Sequence, residues 1–172
     1  KSLKAYLVST LILISTYTCA QDFNLPDFGF SGSRGLTIQR EKMVGEYFMR
    51  LARSNLNITY DPVLNEYLNY VGNKLVMQAN NVNFPFEFFI VNNRELNASA
   101  FLGGKVQVYT GLFHYSDTED EFASVLAHEI SHVTQRHIAR FIEEQIDRQP
   151  LTIASMIGAV AMSILNPMVG MA

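Results

Sequence analysis

Apolar residues recur at helical spacing in two stretches of the first half of the chain. The first stretch runs from about Ile38 to Ser54, and its apolar positions are Val44, Tyr47, Phe48 and Leu51. The second begins at Asp61-Pro62, a capping residue followed by proline at the first helical position. Its apolar face is formed by Leu64, Tyr67, Leu68, Val71 and Leu75. Apolar residues at this period predict two amphipathic helices that pack against a core.

The pattern changes from helical spacing to short strands between residues 86 and 110. Phe86–Val91 is aromatic and β-branched, which predicts a strand. Two further strands, Ser99–Leu102 and Lys105–Thr110, are predicted on either side of Gly103-Gly104, since paired glycines are typical of a hairpin turn. A small sheet should therefore follow the two helices.

A long helix is predicted after the sheet. Ser116 and Glu119 have the Ser-x-x-Glu spacing of a capping box, and the helix should continue to about Gln145. Its apolar stripe consists of Phe122, Leu126, Ile130 and Val133. The order helix, helix, small sheet, long helix predicts an α+β fold.

The first residues have the pattern of an export signal. Lys1 and Lys4 precede an apolar run, Leu7–Ile14, that is too short to span a bilayer. Small residues at Thr18 and Ala20 then resemble a signal-peptidase site. We therefore predict a secretory signal peptide over residues 1–20 and an extended, Gly- and Pro-containing leader over 21–35.

The composition of the chain argues against some kinds of cross-link, metal site and partner. The chain has a single cysteine, Cys19, which leaves with the signal peptide, so the mature chain cannot hold a disulfide or a thiolate zinc site. Cys19 also lies where a lipoprotein cysteine would be, but Thr16 stands where an aliphatic residue is expected. A net charge of -3 gives no electrostatic argument for a nucleic-acid partner.

The predicted long helix contains the sequence His128-Glu129-Ile130-Ser131-His132. Residues four apart lie on one helix face, so the two histidines should project together about 6 Å apart along the axis. Two imidazoles at that spacing can bind one Zn²⁺, while Glu129 lies close enough to contact a water on the metal. This His-Glu-x-x-His arrangement is that of zinc peptidases. The simpler alternative is two solvated histidines on an amphipathic helix.

The third protein ligand of such a site cannot be found near the motif. On a continuous helix, His137 would lie about 140° round from His132, so it is predicted to be structural or at the surface. Glu143 would be about 16 Å along the same helix, out of reach unless the helix breaks and folds back. His114 is predicted to have a surface or packing role. The chain is expected to be a fragment whose missing ligand lies beyond Ala172, because it lacks an initiator methionine and stops within an apolar stretch.

Together, "LAHEISHVTQRH" and the preceding "LNASAFLGGKVQVYTGLF" resemble the metallopeptidase family of the CAAX prenyl proteases and the heat-shock protease HtpX. The predicted signal peptide favours a periplasmic branch of that family. The resemblance covers roughly residues 36–172, which would form the N-terminal part of a zincin-like metallopeptidase domain.

The resemblance implies roles for individual residues. His128 and His132 would be the zinc ligands and Glu129 the general base, with one Zn²⁺ per chain. The family is a gluzincin, so the third ligand would be a glutamate on a later helix. Substrate would be held as an added strand beside an Asn-Ala sequence, a position matched by Asn97 and Ala98. In the periplasmic branch a C-terminal repeat domain would engage the outer-membrane assembly machinery.

The apolar stretch 151–172 leaves two alternatives open. Asn166-Pro167 interrupts it, leaving about 15 apolar residues where a span needs about 20. We expect a helix packed in or beside the domain that contacts the membrane surface, and the alternative is a membrane-embedded protease of the same family.

The predicted function is a zinc endopeptidase of the bacterial periplasm that cleaves unfolded or misassembled envelope proteins. The alternative of another class is a chaperone-like scaffold that holds such chains in the same groove without cutting them.

Overall fold

The computed structural model describes residues 35–148, 155 and 157–159. The predicted signal peptide, nearly all of the predicted leader and most of the stretch 151–172 lie outside the described residues. In chain order the elements are α1 (Ile38–Asn55), β1 (Ile58–Thr59), α2 (Pro62–Val76), β2 (Glu87–Val91), β3 (Ala98–Phe101), β4 (Lys105–Tyr109), α3 (Thr110–Tyr115), α4 (Glu119–Thr134) and α5 (His137–Arg148). The predicted α+β class is confirmed.

Local capping begins the first two helices where the sequence predicts them. The side chain of Thr37 accepts a hydrogen bond from the backbone N–H of Arg40 and caps α1. The Asp61 carboxylate accepts from the N–H groups of Val63 and Leu64, at 2.9 and 3.0 Å, and caps α2. Both predicted helices are confirmed, since these caps satisfy donors that have no partner within the helix.

The sheet has four strands in the order β1-β2-β4-β3. β2 runs parallel to β4, and β3 runs antiparallel to it at one edge. A single 3-10 turn, Leu102–Gly104, joins β3 to β4. Gly103 and Gly104 have φ values of 74° and 81°, a backbone region that glycine enters at no steric cost. The three predicted strands are confirmed, and the short β1 is an addition.

Each face of the sheet packs against different helices. One face is covered by α2 and α4, and its buried residues include Phe88, Ile90, Val106, Val108, Leu68, Leu126 and Ile130. The other is covered by α1, and its buried residues include Phe89, Val91, Phe101, Tyr109, Phe48, Met49 and Ala52. Because α4 packs along the face next to β3, the predicted His-Glu-x-x-His sequence lies beside a sheet edge.

The prediction of one long helix to about Gln145 is wrong. α4 ends at Thr134, and α5 begins at His137. Between them Arg136 has a φ of 54°, a left-handed conformation in which a helix cannot continue. A tertiary contact stabilises the break, because the Arg136 guanidinium binds the Glu41 carboxylate at the start of α1.

The predicted capping box is displaced by two residues. The N-cap of α4 is Thr118, whose side chain accepts from the N–H of Glu121 at 3.2 Å. The Glu121 carboxylate in turn accepts from the N–H of Asp117. Ser116 instead donates its hydroxyl hydrogen to Leu112 O and ends α3, a short helix that the sequence pattern does not predict.

One described residue of the stretch 151–172, Ile157, packs on the domain. Residues 155 and 157–159 are helical, and Ile157 is buried in a cluster that joins α1 to α5. Within the described ranges, the helices are all too short or too polar to cross a membrane.

Candidate metal centre

Helix α4 brings the two predicted ligand nitrogens together. The Nε2 atoms of His128 and His132 lie 3.1 Å apart, and their rings meet nearly edge to face. Two ligands with Zn–N bonds of about 2.0–2.1 Å on a tetrahedral ion would be separated by about 3.3 Å. His128 is exposed and His132 half-buried, so the pair is open to solvent on one side. The arrangement fits a metal ion bound through both Nε2 atoms.

Glu129 lies between the histidines and the edge strand β3. Burial raises the pKa of its carboxyl group, while His132, His128 and a hydrogen bond to the backbone of Ala100 act in the opposite direction. That hydrogen bond places the carboxylate at the sheet edge. A carboxylate beside a metal site and beside a strand edge can act on a chain bound along that edge.

The register of β3 shows which backbone groups face outward. The N–H of Tyr109 donates to the carbonyl of Asn97 at 3.0 Å, and Ala98 is opposite Val108. In an antiparallel pair, hydrogen-bonded and non-hydrogen-bonded residues alternate, so the backbone groups of Ala98 and Ala100 point away from β4. Of the two predicted substrate-binding residues, Ala98 has backbone groups that face outward, while the carbonyl of Asn97 is engaged inside the sheet.

The helix break brings a third histidine to the pair, which the sequence prediction missed. His137 Nδ1 lies 2.8 Å from His132 Nδ1, and His137 Nε2 lies 3.2 Å from Gln135 Oε1. His137 was predicted to be structural or at the surface because a continuous helix would turn it away. No helical periodicity could have found this contact, because it exists only where the helix is broken.

The break itself is held by the residues that precede and begin α1. Arg136 Nε donates to the Glu41 carboxylate at 2.6 Å, and its NH2 group donates to the carbonyl of Leu36. Glu41 is only 2% exposed, and burial raises the pKa of its carboxyl group against the opposing effect of Arg136. The N–H of Leu36 donates to the Glu143 carboxylate at 2.8 Å. Arg136, Glu41, Leu36 and Glu143 form what we call the clamp.

The structure does not gather a complete ligand set. Across residues 35–148 and the few described after them, no group of three His, Cys, Asp or Glu side chains could hold a metal ion. The carboxylate of Glu143, the first acidic residue after the motif, accepts a hydrogen bond from the N–H of Leu36 instead. His114 is exposed, and its ring contacts Tyr115. The described residues therefore offer two ligand nitrogens and one neighbouring carboxylate.

Comparison with known proteins gives concordant matches. The sequence model of "Peptidase family M48" matches residues 62–170. The chain is 48% identical over 153 residues to the beta-barrel assembly-enhancing protease of Yersinia pestis, covering 89% of this chain and 31% of that protein. The protein of the same name from Escherichia coli (strain K12) is 44% identical over 179 residues, covering 100% of this chain and 37% of that protein.

A more distant match is the mitochondrial metalloendopeptidase OMA1 of Arabidopsis thaliana, 34% identical over 61 residues, covering 36% of this chain and 13% of that protein. The chain thus spans about a third of the length of the bacterial relatives that it matches.

Proposed function

Because the chain belongs to peptidase family M48, we propose that it carries the histidine pair and the general base of a zinc-dependent endopeptidase. The observation that carries the proposal is the convergence of His128 Nε2 and His132 Nε2, 3.1 Å apart, beside the half-buried carboxylate of Glu129. Neither a solvated pair of histidines nor a packing role explains why a half-buried carboxylate should lie next to them at an open strand edge.

His128 and His132 would hold the metal through their Nε2 atoms. A zinc ion bound there would supply Lewis-acid chemistry, polarising the scissile carbonyl and making water more acidic. A catalytic zinc has three protein ligands and one open position. We propose that the third ligand is a glutamate in sequence beyond Ala172, in keeping with the short coverage of the relatives.

Glu129 would move the protons. Its carboxylate takes a proton from the attacking water and then delivers it to the nitrogen of the leaving amine. Burial raises the pKa of this carboxyl group, the direction that a proton acceptor requires. The backbone of Ala100, which lowers the pKa of this carboxyl group, lies at the edge where substrate would lie.

The edge strand β3 would bind the substrate backbone. An extended peptide added along β3 would pair with the outward groups of Ala98, and Asn97 would position the start of that strand. Main-chain hydrogen bonds of this kind accept any extended chain, whatever its side chains. Such a groove suits an endopeptidase whose substrates are unfolded, so we propose unfolded or misassembled envelope proteins as substrates.

The names of the relatives support a proposal about the cellular setting. Those from Yersinia pestis and Escherichia coli are named beta-barrel assembly-enhancing proteases. We propose a periplasmic location after removal of residues 1–20, contact with the outer-membrane assembly machinery, and contact of residues 151–172 with the membrane surface. The names of the relatives and the signal-peptide pattern support this setting.

Metal analysis and proteolysis of the full-length protein test the proposal. The wild-type protein should contain about one zinc per chain and should cleave unfolded casein. His132→Ala should lose both zinc and cleavage, because one of the ligand nitrogens is removed. His114→Ala is the matched control, since His114 is exposed outside the site, and it should keep both. A protein that binds casein without cutting it, with or without zinc, would instead be the chaperone-like scaffold.

A further inference from the structure

The ring of His132 is contacted on both of its nitrogens. Its Nε2 faces His128 at 3.1 Å, and its Nδ1 faces His137 Nδ1 at 2.8 Å. The rings of His132 and His137 meet at 79°, with their centroids 4.8 Å apart. His137 is half-buried and continues the chain of contacts to Gln135, at 3.2 Å. On the side away from His128, the proposed ligand His132 therefore contacts the ring of His137, which in turn contacts the side-chain amide of Gln135.

Hydrogen-bond chemistry permits one arrangement of protons if Nε2 of His132 is to bind a metal. A neutral imidazole carries its proton on one nitrogen and accepts on the other. A ligating Nε2 requires the His132 proton on Nδ1, which then donates to His137 Nδ1. The His137 proton must therefore lie on Nε2, where Gln135 Oε1 accepts it. Every donor in this relay meets an acceptor, so the relay selects the ligating form of His132.

The position of His137 depends on the helix break and not on helix α4. Arg136, with its φ of 54°, turns the chain so that the side chain of His137 meets those of His132 and Gln135 at the end of α4. The clamp fixes that turn through the buried carboxylate of Glu41. Partners that hold the far nitrogen of a metal-binding histidine orient the ring and raise its basicity.

We propose that His137, supported by Gln135, is a positioning residue that fixes the ring and the tautomer of His132. The inference rests on the proposed zinc site and deepens it. His137 itself does not contact the metal or the substrate; it acts through the Nδ1 hydrogen of His132. Its removal should therefore weaken metal binding while leaving the fold intact.

Two substitutions in the full-length protein separate the hydrogen bond from the packing. His137→Phe keeps a ring of similar size but removes the acceptor. His137→Asn is smaller, yet its side-chain oxygen can occupy the place of Nδ1 and accept from His132. Loss of such a partner typically weakens metal binding about 10–100-fold. We expect that loss of zinc affinity, measured by chelator competition, for His137→Phe and only a few-fold loss for His137→Asn. Equal zinc affinity of His137→Phe and wild type, or equal weakening by both substitutions, would overturn the proposal.

The tautomer of His132 can be measured in the metal-free protein. This measurement tests the positioning role of His137 independently of the proposed zinc-peptidase function. Nitrogen-15 spectra, recorded where the rings are neutral, should show the His132 proton on Nδ1 in the wild type and on Nε2 in His137→Phe. A His132 proton on Nε2 in the wild type contradicts the positioning role. A wild-type protein that binds no zinc but keeps the proton on Nδ1 refutes the proposed function alone and supports the relay.

Discussion

The two sides of His132 are built in different ways. On the open side lie His128, Glu129 and the strand edge, held by a helix spacing and a strand register. On the closed side lie Gln135, Arg136 and His137, held by contacts that reach back 95 residues to Glu41 and 100 residues to Leu36. The open side supplies groups that can react, and the closed side supplies their positions. Substitutions on the open side should therefore remove the general base or a metal ligand, whereas those on the closed side should weaken metal binding, at His137, or lower stability, at the clamp.

The largest effect is expected from Glu129→Gln on the open side. Glutamine keeps the size of the side chain but cannot take a proton at neutral pH, and general-base catalysis is worth about 10²–10⁴-fold. Peptide hydrolysis by the full-length protein should fall by at least that factor while zinc content stays near wild type, because the ligand nitrogens are untouched. Paired metal analysis and casein cleavage measure both, and normal cleavage would refute the mechanism.

On the closed side, Glu41→Ala should act through stability. It leaves the Arg136 guanidinium without its buried partner, and breaking such a pair costs about 3–5 kcal/mol when both ions are buried. Because the Arg136 side chain is 29% exposed, we expect a smaller loss, about 1–3 kcal/mol, in the free energy of unfolding.

The control for Glu41→Ala is Lys74→Ala, since Lys74 and Glu119 form an exposed pair at 3.9 Å. That variant should lose less than about 1 kcal/mol. Denaturant unfolding of the full-length protein compares the two variants. Equal losses would mean that the clamp contributes no more than a surface ion pair.

Substrate binding at the strand edge should respond to Ala98→Pro. Proline removes the outward N–H of residue 98 and leaves the hydrogen bonds between β3 and β4 in place. One lost hydrogen bond is worth about 1 kcal/mol, so the KM for an unfolded substrate should rise severalfold with little change in kcat. Ser99→Pro is the contrast, because it removes a donor inside the sheet and should lower stability. An unchanged KM for Ala98→Pro would exclude strand addition at this residue.

The smallest effect is expected at the far end of α4. Thr118→Ala removes the N-cap side chain, which typically costs about 1 kcal/mol of stability. Since the cap lies more than two helical turns before His128, zinc affinity and kcat should not change. Thermal unfolding and chelator competition test both statements. A lower zinc affinity of Thr118→Ala would show that a change at the start of α4 reaches the metal site, which would contradict this expectation.

The elements around the open side could be predicted because their signals are local. Asp61-Pro62 starts α2, Gly103-Gly104 turns the hairpin, and the four-residue spacing of the histidines defines a helix face. Each of these signals acts within a few residues, so a periodic pattern or a cap is sufficient to predict it.

The closed side could not be predicted, since its causes are distant in sequence. Nothing around Gln135 and Arg136 marks a helix end, because the break depends on the buried carboxylate of Glu41, 95 residues earlier. The first residue of α4 was also hard to predict from local sequence. Two overlapping frames, Ser116 to Glu119 and Thr118 to Glu121, have the capping-box spacing, and Ser116 is already used to end α3.

The clamp at Leu36 also sets an order of events in folding. Both backbone groups of Leu36 are bound by residues near the other end of the described chain, and the hydrogen bond to Glu143 closes a loop of 107 residues. Closing such a loop costs about 4 kcal/mol of chain entropy, whereas a helix such as α4 forms from neighbouring residues. Leu36 and Glu143 lie far apart along the chain, so folding steps that use only neighbouring residues cannot complete the clamp. The histidine pair can form with helix α4, but the turn that places His137 is complete only when these distant residues have met.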